Sequence, residues 1–352
     1  MTFWTFLGHS GEVHVWNAWN TDPLIASSGV GSIHGHRDKI TSVQWINGSH
    51  FEARTSFNTY FILSTGLDGV LILWTLDQSK NDLDPIRKMI IDPSYLPKKQ
   101  IRKKTDVGIT CLSVNSNDNS VVVIGTESGS IFEGSLNSPS VIHGPDENPG
   151  EWYDPIKIPF APHFGRVNQV KCSPFDRNIF LSCGSDQEVR IYSLLHPYAP
   201  IQVLIYAGAL TGPCYYFLSA RSNNKTYTKI TKKTLNFQVI PMEETSGKSL
   251  AWSLSRPLVF AVGCQNHKLL IYDLRTSKDL SKALTLPLEL KASEKLIPFP
   301  LTSVAFNGIN QGLIATGDGF GRVHVWKLTS KLMSKNPDEI QILNNIGDTK
   351  ED

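Results

Sequence analysis

Gly69–Thr75, with the sequence GVLILWT, is the clearest copy of the pattern that decides the fold. A turn glycine is followed by β-branched and aliphatic residues and a final tryptophan, which is typical of a strand that leaves a tight turn. Related segments begin at five other positions. They are Gly11–Asn17, Gly129–Ser135, Gln187–Ser193, His267–Asp273 and Gly321–Lys327. The starts of the six segments lie 58, 60, 58, 80 and 54 residues apart, so the chain contains a degenerate internal repeat.

Each repeat contains more than this one strand. A second apolar run ends in small residues just before most of the segments, as in Tyr60–Gly69 and Ser120–Gly129, and two strands joined by a tight turn form a hairpin. A third run precedes the hairpin, as in Lys39–Trp45, and outer segments such as Pro85–Ile91 and Pro200–Tyr206 supply a fourth strand. Four-stranded antiparallel units in series are the blades of a β-propeller. The sequence therefore predicts an all-β protein.

Composition and charge exclude several classes of protein. Hydrophobic residues make up 40% of the 352 residues and charged residues 19%, which is not the composition of a disordered chain. The net charge is only +2, so no strong field attracts nucleic acid or an anionic membrane. The five cysteines form no CxxC pair, as expected for free thiols in a reducing compartment. We expect a soluble intracellular protein with no nucleic-acid partner and no membrane insertion.

The second repeat resembles the WD40 family. His36 lies four residues before Ile40, Asp68 occupies the inner turn, and Trp74 ends the strand where that family has its Trp-Asp pair. The resemblance implies a WD40 β-propeller of the seven-bladed type. About six blades are expected in this chain, the first of them incomplete.

The same resemblance implies a buried chain of hydrogen bonds that ties the outer turn of a blade to its inner hairpin. In the second repeat its members are His36, a hydroxyl from Ser64 or Thr65, Asp68 and Trp74. A second set is His163, Asp186 and Tyr192, with tyrosine in place of tryptophan. The other repeats lack most of these residues and are expected to depend on apolar packing.

A narrower resemblance comes from three long stretches that follow one another in order. They are Cys172–Leu195, Trp252–Leu274 and Ile309–Leu328. These stretches are similar to the WD40 dynein intermediate chains, most of all to those of cytoplasmic dynein-2 and, within these, to the shorter type. The similarity covers about residues 7–206 and 248–330.

This family implies a non-catalytic role. Its members bind a dynein-2 heavy chain, pair with the other dynein-2 intermediate chain and engage intraflagellar transport particles, in cytoplasm, cytoskeleton, cilium or axoneme, and basal body. The sequence contains no HExxH, GxSxG or paired cysteine ligands, so no catalytic residue, cofactor or metal ligand is predicted. The alternative is a general WD40 adaptor, such as an axonemal dynein intermediate chain or a ubiquitin-ligase substrate receptor.

Two departures from the family pattern affect the domain organisation. Because Met1 falls within a blade, we expect an N-terminally truncated propeller over residues 1–330, as a natural isoform or a gene-model fragment, that lacks the sites for dynein light chains. Residues 207–247 interrupt the repeat and are expected to form a disordered insertion, or alternatively a contact loop. Residues 331–352 are expected to form a C-terminal tail.

Two segments are candidates for contact with a partner. The first is a basic run formed by Lys98, Lys99, Arg102, Lys103 and Lys104, which would suit an acidic surface or else be simply solvated. The second contains Trp152 and Tyr153 in a proline-rich connection. Exposed aromatic residues make interaction hot spots, whereas buried ones would fasten an outer strand to its blade.

Overall fold

The structure, a computed structural model, describes most of the chain. The described residues are 3–7, 10–17, 19–29, 32, 34–48, 60–77, 82–95, 107–142, 151–204, 219–222, 225–228, 245–274, 286–288, 299–334 and 336–347. The chain divides into two compact units. Unit 1 comprises Met1–Pro159 and Gly165–Cys172, and unit 2 comprises Phe160–Phe164 and Ser173–Asp352.

Unit 1 is built from short, mostly antiparallel strands. They are β1 (Phe3–Leu7), β2 (Val13–Asn17), β3 (Leu24–Ser27), β4 (Ile40–Asn47), β5 (Tyr60–Gly66), β6 (Val70–Asp77), β7 (Asp82–Ile90), β8 (Ile109–Val114), β9 (Val121–Thr126), β10 (Ile131–Ser135), β11 (Val141–Ile142), β12 (Trp152–Tyr153), β13 (Ile156–Phe160) and β14 (Val167–Cys172). One sheet has the order β1-β2-β3-β7-β6-β5-β4, and β12 extends it by pairing in parallel with β7. A second sheet has the order β13-β10-β9-β8.

Unit 2 continues the same pattern and adds two helices. Its elements are β15 (Ile179–Gly184), β16 (Val189–Ser193), β17 (Gln202–Leu204), β18 (Ser219–Ser222), β19 (Lys225–Thr228), β20 (Gly247–Trp252), β21 (Val259–Cys264), β22 (Leu269–Asp273), β23 (Leu286–Leu288), β24 (Leu301–Phe306), β25 (Leu313–Asp318), β26 (Val323–Lys327), α1 (Ser330–Met333) and α2 (Glu339–Gly347). Three antiparallel meanders run β15-β16-β17, β20-β21-β22-β23 and β24-β25-β26. In the part of the chain that the structure describes, no helix is long and apolar enough to cross a bilayer.

A left-handed residue marks the inner hairpin turn of every repeat. Among the described residues seven have a positive φ, and six of these open the six repeat segments. They are Gly11, Gly69, Gly129, Gln187, His267 and Gly321, with φ between 67° and 93°. Each segment forms the strand that follows its turn. The prediction of an all-β chain built from repeated antiparallel units is therefore confirmed.

The second strand of a repeat is generally its most buried. Every residue of β15 and of β21 is buried, because apolar side chains pack on both faces of these strands. In unit 1 the two sheets share one core, to which Leu73, Leu112 and Ile124 contribute. The strand β26 differs, since Val323 and Val325 on one of its faces are 72% and 66% exposed.

Hydroxyl groups join neighbouring sheets within each unit. Three of them, each near the start of the first strand of a repeat, donate a hydrogen bond to the carbonyl that begins the first strand of the next repeat. The pairs are Thr41 to Ile109 (2.8 Å), Thr110 to Val167 (2.6 Å) and Ser249 to Leu301 (3.0 Å). A strand edge that packs against another sheet leaves backbone carbonyls to be satisfied, and these side chains supply the donors.

The segment predicted as a C-terminal tail contains the docked helix α2. Leu343 of α2 is fully buried in the core that includes Leu250 and Phe260. Glu339, the first residue of the helix, accepts hydrogen bonds from Arg256 at 2.5 and 3.0 Å, and Arg256 also pairs with Asp273 at 2.9 Å. All three charged side chains are buried, so the helix is held by a paired charge as well as by apolar contact.

The expected insertion at 207–247 falls largely outside the described residues. Within it the structure describes the hairpin of β18 and β19, together with residues 245–247. The expectation of disorder in this stretch therefore stays a prediction.

The turn residue Gln187 provides a test of the repeat geometry. A left-handed conformation costs a non-glycine residue about 1–2 kcal/mol, and replacement by glycine removes this cost. Part of that stabilisation is lost again, because glycine has more conformational freedom in the unfolded chain. We expect Gln187→Gly to raise the free energy of unfolding by about 0.5–1 kcal/mol in urea denaturation. The neighbouring Ser185→Gly, at an exposed turn position without a positive φ, should not stabilise the protein. Equal effects of the two changes would contradict this account.

Candidate structural network and binding surface

The second repeat contains a continuous chain of four side chains. The Nδ1 of His36 lies 3.1 Å from both carboxylate oxygens of Asp68, and its Nε2 lies 2.8 Å from the Ser64 hydroxyl oxygen. The indole Nε1 of Trp74 lies 2.8 Å from the same hydroxyl oxygen. Of the two hydroxyls proposed from the sequence, Ser64 is the one that joins these groups, while Thr65 contacts Thr41.

The proton positions along this chain follow from its two ends. The carboxylate of Asp68 only accepts, so Nδ1 of His36 carries a proton and donates it to Asp68. The indole N–H of Trp74 only donates, so the oxygen of Ser64 accepts from it. A ring with its one proton on Nδ1 accepts the Ser64 hydroxyl proton at Nε2. Asp68 also accepts the backbone N–H groups of Arg37 and Val70. The outer turn, the inner turn and the two hairpin strands are thereby connected.

The fourth repeat has a related network with one different end. The Nδ1 of His163 lies 2.9 Å from both oxygens of Asp186, and its Nε2 lies 2.7 Å from the Ser182 hydroxyl. The hydroxyl of Tyr192 does not reach Ser182. It donates instead to the backbone carbonyl of Ala161 at 2.7 Å. Tyr192 is thus linked directly to the outer turn by this hydrogen bond, whereas Trp74 is linked to it through the serine and the histidine.

Arg190 fills the space beside this second network. Its fully buried guanidinium donates to Glu188 at 2.7 Å, to the carbonyl of Pro162 at 2.7 Å and to Asp186 at 3.3 Å. Burial alone would lower the pKa of Arg190, but Tyr192 and the two carboxylates raise it, so the guanidinium stays charged. The cation therefore balances two buried carboxylates.

Burial controls the charge of His163. Burial lowers the pKa of this imidazole, and the positive charge of Arg190 lowers it further, whereas the hydrogen bond that the ring donates to Asp186 raises it. For Asp186 burial acts to raise the pKa, but its bond with His163 and the charge of Arg190 bring it below the ordinary value. At neutral pH the network therefore holds a neutral imidazole and a carboxylate.

Ser182 and Arg190 were not identified from the sequence, although a spacing signal exists for the serine. Ser64 lies four residues before Asp68, and Ser182 lies four residues before Asp186. The antiparallel register places both serines at the same distance from the turn. Nothing in the local sequence of Arg190 shows that it is buried, because its partners come from two turns.

The other repeats keep only fragments of this arrangement. In the last one, the indole Nε1 of Trp326 donates to the Thr316 hydroxyl at 3.2 Å, and Phe320 stands where Asp68 stands in the second repeat. In the fifth, Val262 replaces the serine. The hydroxyl of Tyr272 in that repeat is buried and has no hydrogen-bond partner among the residues that the structure describes.

The residues predicted to contact a partner differ in how far they are buried. Trp152 is only 2% exposed and lies in the core with Trp74, so its side chain fastens β12 instead of forming a surface hot spot. Tyr153 is half-buried, with the guanidinium of Arg87 3.8 Å from its ring centre and its hydroxyl bonded to Glu151. The basic run formed by Lys98, Lys99, Arg102, Lys103 and Lys104 lies outside the described residues.

The two serines allow a matched comparison. Ser64→Ala removes the partner of both His36 and Trp74, whereas Ser182→Ala removes the partner of His163 alone. A buried polar group left without a partner costs about 1–3 kcal/mol. We expect Ser64→Ala to lower the free energy of unfolding about twice as much as Ser182→Ala in urea denaturation. Equal losses in the free energy of unfolding would show that the hydrogen bond between Trp74 and Ser64 does not stabilise the protein.

Stability should depend on pH through His163. In the unfolded chain its pKa returns to the ordinary value of 6.5, above that in the folded protein, so the unfolded state binds the extra proton first. The free energy of unfolding should therefore fall as pH is lowered from 7 through this window. Urea denaturation at a series of pH values should give a shallower slope for His163→Gln. Identical slopes would contradict the assignment.

Comparisons with known proteins agree with this architecture. The WD40 family profile, described as WD domain, G-beta repeat, matches residues 27–75 and 154–193. The solved structure of the mitotic checkpoint complex contains a chain that superposes with a TM-score of 0.52 and 13% identity, over 94% of this chain and 73% of that one. At that identity the likeness shows the fold alone. The predicted WD40 fold class is confirmed.

Sequence relatives extend the comparison along nearly the whole chain. Cytoplasmic dynein 2 intermediate chain 2 of Mus musculus is 29% identical over 346 residues, which are 96% of this chain and 55% of the relative. The Homo sapiens protein of that name is 28% identical over 95% of this chain and 54% of its own length. Dynein axonemal intermediate chain 4 of Danio rerio is 25% identical over 52% of this chain and 21% of its own length.

The chain thus spans about half the length of the dynein-2 relatives that it matches. The resemblance predicted from the ordered stretches is confirmed. This chain carries WD40 repeats and is similar, over nearly all of its residues, to the intermediate chains of cytoplasmic dynein 2.

Proposed function

We propose that this chain is the WD40 part of a non-catalytic dynein intermediate chain and acts in the cytoplasmic dynein-2 complex. The observation that carries the proposal is the similarity to dynein-2 intermediate chains over 95–96% of the chain, because it includes turns and outer strands as well as the repeat motifs. The axonemal relative matches about half of the chain and gives weaker support to an axonemal role.

The chemistry of the buried groups supports binding and not catalysis. Two hydrogen-bonded His–Asp pairs occur in the part of the chain that the structure describes, and each imidazole uses both nitrogens in bonds that hold a blade together. Burial raises the pKa of Cys111 and of Cys172 to about 11, so neither side chain is a thiolate at neutral pH. These groups stabilise the sheets and leave binding to the loops, as is common for rigid scaffolds.

The proposed partners follow from the same family. The chain would bind the tail of a dynein-2 heavy chain and the other dynein-2 intermediate chain, and so support intraflagellar transport and cilium assembly. Sheets held in fixed register present their loops as one rigid surface, and binding then costs little conformational entropy. We place the protein in the cytoplasm and the cytoskeleton, at the basal body and in the cilium.

We also propose that the basic run of residues 98–104 contacts an acidic surface of a partner. It carries five positive charges in seven residues, in a chain whose net charge is only +2. Such a local concentration of charge accelerates association with an acidic partner and orients it. Nucleic acid is not proposed, because no aromatic residues for base stacking are interleaved with the charges.

Affinity capture from ciliated cells tests the main proposal. The full 352-residue chain, carrying an affinity tag, should recover a dynein-2 heavy chain at a level well above an unrelated WD40 bait. Recovery of an axonemal heavy chain or of ubiquitin-ligase subunits in its place would overturn the dynein-2 assignment.

A pair of charge variants separates the role of the basic run from the main proposal. One variant changes Lys98, Lys99, Arg102, Lys103 and Lys104 to glutamine. The matched control changes the five basic residues of the second basic stretch, Arg221, Lys225, Lys229, Lys232 and Lys233, to glutamine. We expect the first variant to reduce heavy-chain capture at least severalfold and the control to leave it unchanged. Equal capture by both would reject the basic run while keeping the dynein-2 assignment.

A further inference from the structure

We propose that His267, Asp318 and His324 form a binding site for one divalent transition-metal ion, with Zn²⁺ as the ion to test first. One nitrogen of each imidazole and one oxygen of the carboxylate lie within 4.8 Å of one another. The residues come from the turn between β21 and β22, from the end of β25 and from β26. The site therefore spans two neighbouring sheets of unit 2.

His267 is oriented as metal-binding histidines usually are. Its Nδ1 lies 2.8 Å from the backbone carbonyl of Phe299, and because a carbonyl only accepts, Nδ1 must carry the proton. The lone pair then lies on Nε2, which is the form of the ring that ligates a metal with a carbonyl behind it. His267 also holds a φ of 67° in a turn where four of the six repeats have glycine.

His324 supplies an independent sign of a missing partner. Its Nε2 is buried and has no hydrogen-bond partner in the described part of the chain. The ring stands nearly perpendicular to that of His267, at 89° and with 5.9 Å between ring centres. A buried nitrogen without a partner costs free energy, and most such atoms in folded proteins are satisfied. A metal ion between the rings would satisfy it.

Asp318 has one acceptor position left for an ion. Its Oδ1 accepts the backbone N–H groups of Phe320 at 3.0 Å and Arg322 at 2.9 Å, and its Oδ2 accepts Nε of Arg322 at 2.7 Å. A carboxylate offers about four lone-pair directions, so these three bonds leave one on Oδ2. The nearby positive charge of Arg322 opposes a second cation, so we expect moderate affinity and not the tight binding of an all-thiolate site.

The ligand set selects the class of ion. Two imidazoles and one carboxylate suit Zn²⁺, which is normally four-coordinate and would complete its shell here with water. Hard ions such as Ca²⁺ and Mg²⁺ prefer oxygen ligands and should bind poorly. The ion would link the inner turn of one sheet to the strands of the next. The fifth and sixth repeats have Asn266 and Phe320 at the position where the second and fourth repeats have aspartate. The metal ion would therefore replace the link that the His–Asp hydrogen bond makes in those other repeats.

A second cluster of the same size does not make such a site. His163, Asp186 and Glu188 also lie within 4.8 Å of one another. There both imidazole nitrogens are already bonded, and the guanidinium of Arg190 lies against both carboxylates. The space between the acidic groups is filled by a fixed cation.

Metal binding to the full chain tests the proposal. After treatment with a chelator and under reducing conditions, the protein should take up one Zn²⁺ per chain in equilibrium dialysis and show a raised melting temperature. His267→Asn keeps a residue that tolerates the left-handed turn, and His324→Phe keeps a ring for packing. Each change should weaken Zn²⁺ binding about tenfold or more and abolish the thermal shift. Bound Co²⁺ should show the strong visible bands of a four-coordinate ion that both variants lose.

The matched control is His196→Asn, which removes a histidine of unit 2 outside the cluster and keeps every cysteine. It should bind Zn²⁺ as the unaltered chain does. Circular dichroism and the melting temperature without metal establish that the variants are folded. The proposal is overturned if the unaltered chain takes up no stoichiometric Zn²⁺, or if uptake persists undiminished in both cluster variants. In either case the two rings are packing contacts only.

Discussion

The left-handed turn residue between the second and third strands of each repeat is the constraint on which the rest of the structure depends. It lets the chain reverse within the three to five residues between the two strands and thereby fixes the antiparallel register of the hairpin. At Gly69 that register places Ser64 and Trp74 five residues to either side of the turn, where one hydroxyl serves both the tryptophan and His36. A slip of one residue would turn these side chains to the opposite faces of the sheet.

Similar backbones are held by different chemistry from one repeat to the next. The second and fourth repeats use an imidazole between a serine and an aspartate, and the fourth adds the buried cation of Arg190. The fifth keeps the tyrosine but has valine where the serine stands, and Phe260 stacks on the ring of Tyr272 at 5.0 Å. Apolar packing thus takes the place of the hydrogen-bonded network in this repeat.

The sequence was sufficient to predict the structural features that are local and that repeat along the chain. The six turn starts and the strands that follow them recur along the chain with one pattern. The second-repeat chain came from the WD40 resemblance, since His36 lies 32 residues from Asp68. Arg256 and Glu339 lie 83 residues apart and carry no such signal, so the docking of α2 could not be predicted. The same applies to Arg190, because a charged residue in an alternating strand is normally expected to face solvent and its burial depends on carboxylates brought in by folding.

This distribution of polar groups agrees with the proposed binding role. Histidine, aspartate and serine are the usual materials of catalysis, yet in the networked repeats their atoms are bonded to one another and to backbone groups. A nucleophile needs an accessible atom with an unused lone pair beside a base. Ser182 is instead buried, and its hydroxyl donates a hydrogen bond to the buried His163. The stability of such a frame lies inside the sheets. In the proposed role, partner recognition is assigned to the loops, which can vary without disturbing that frame.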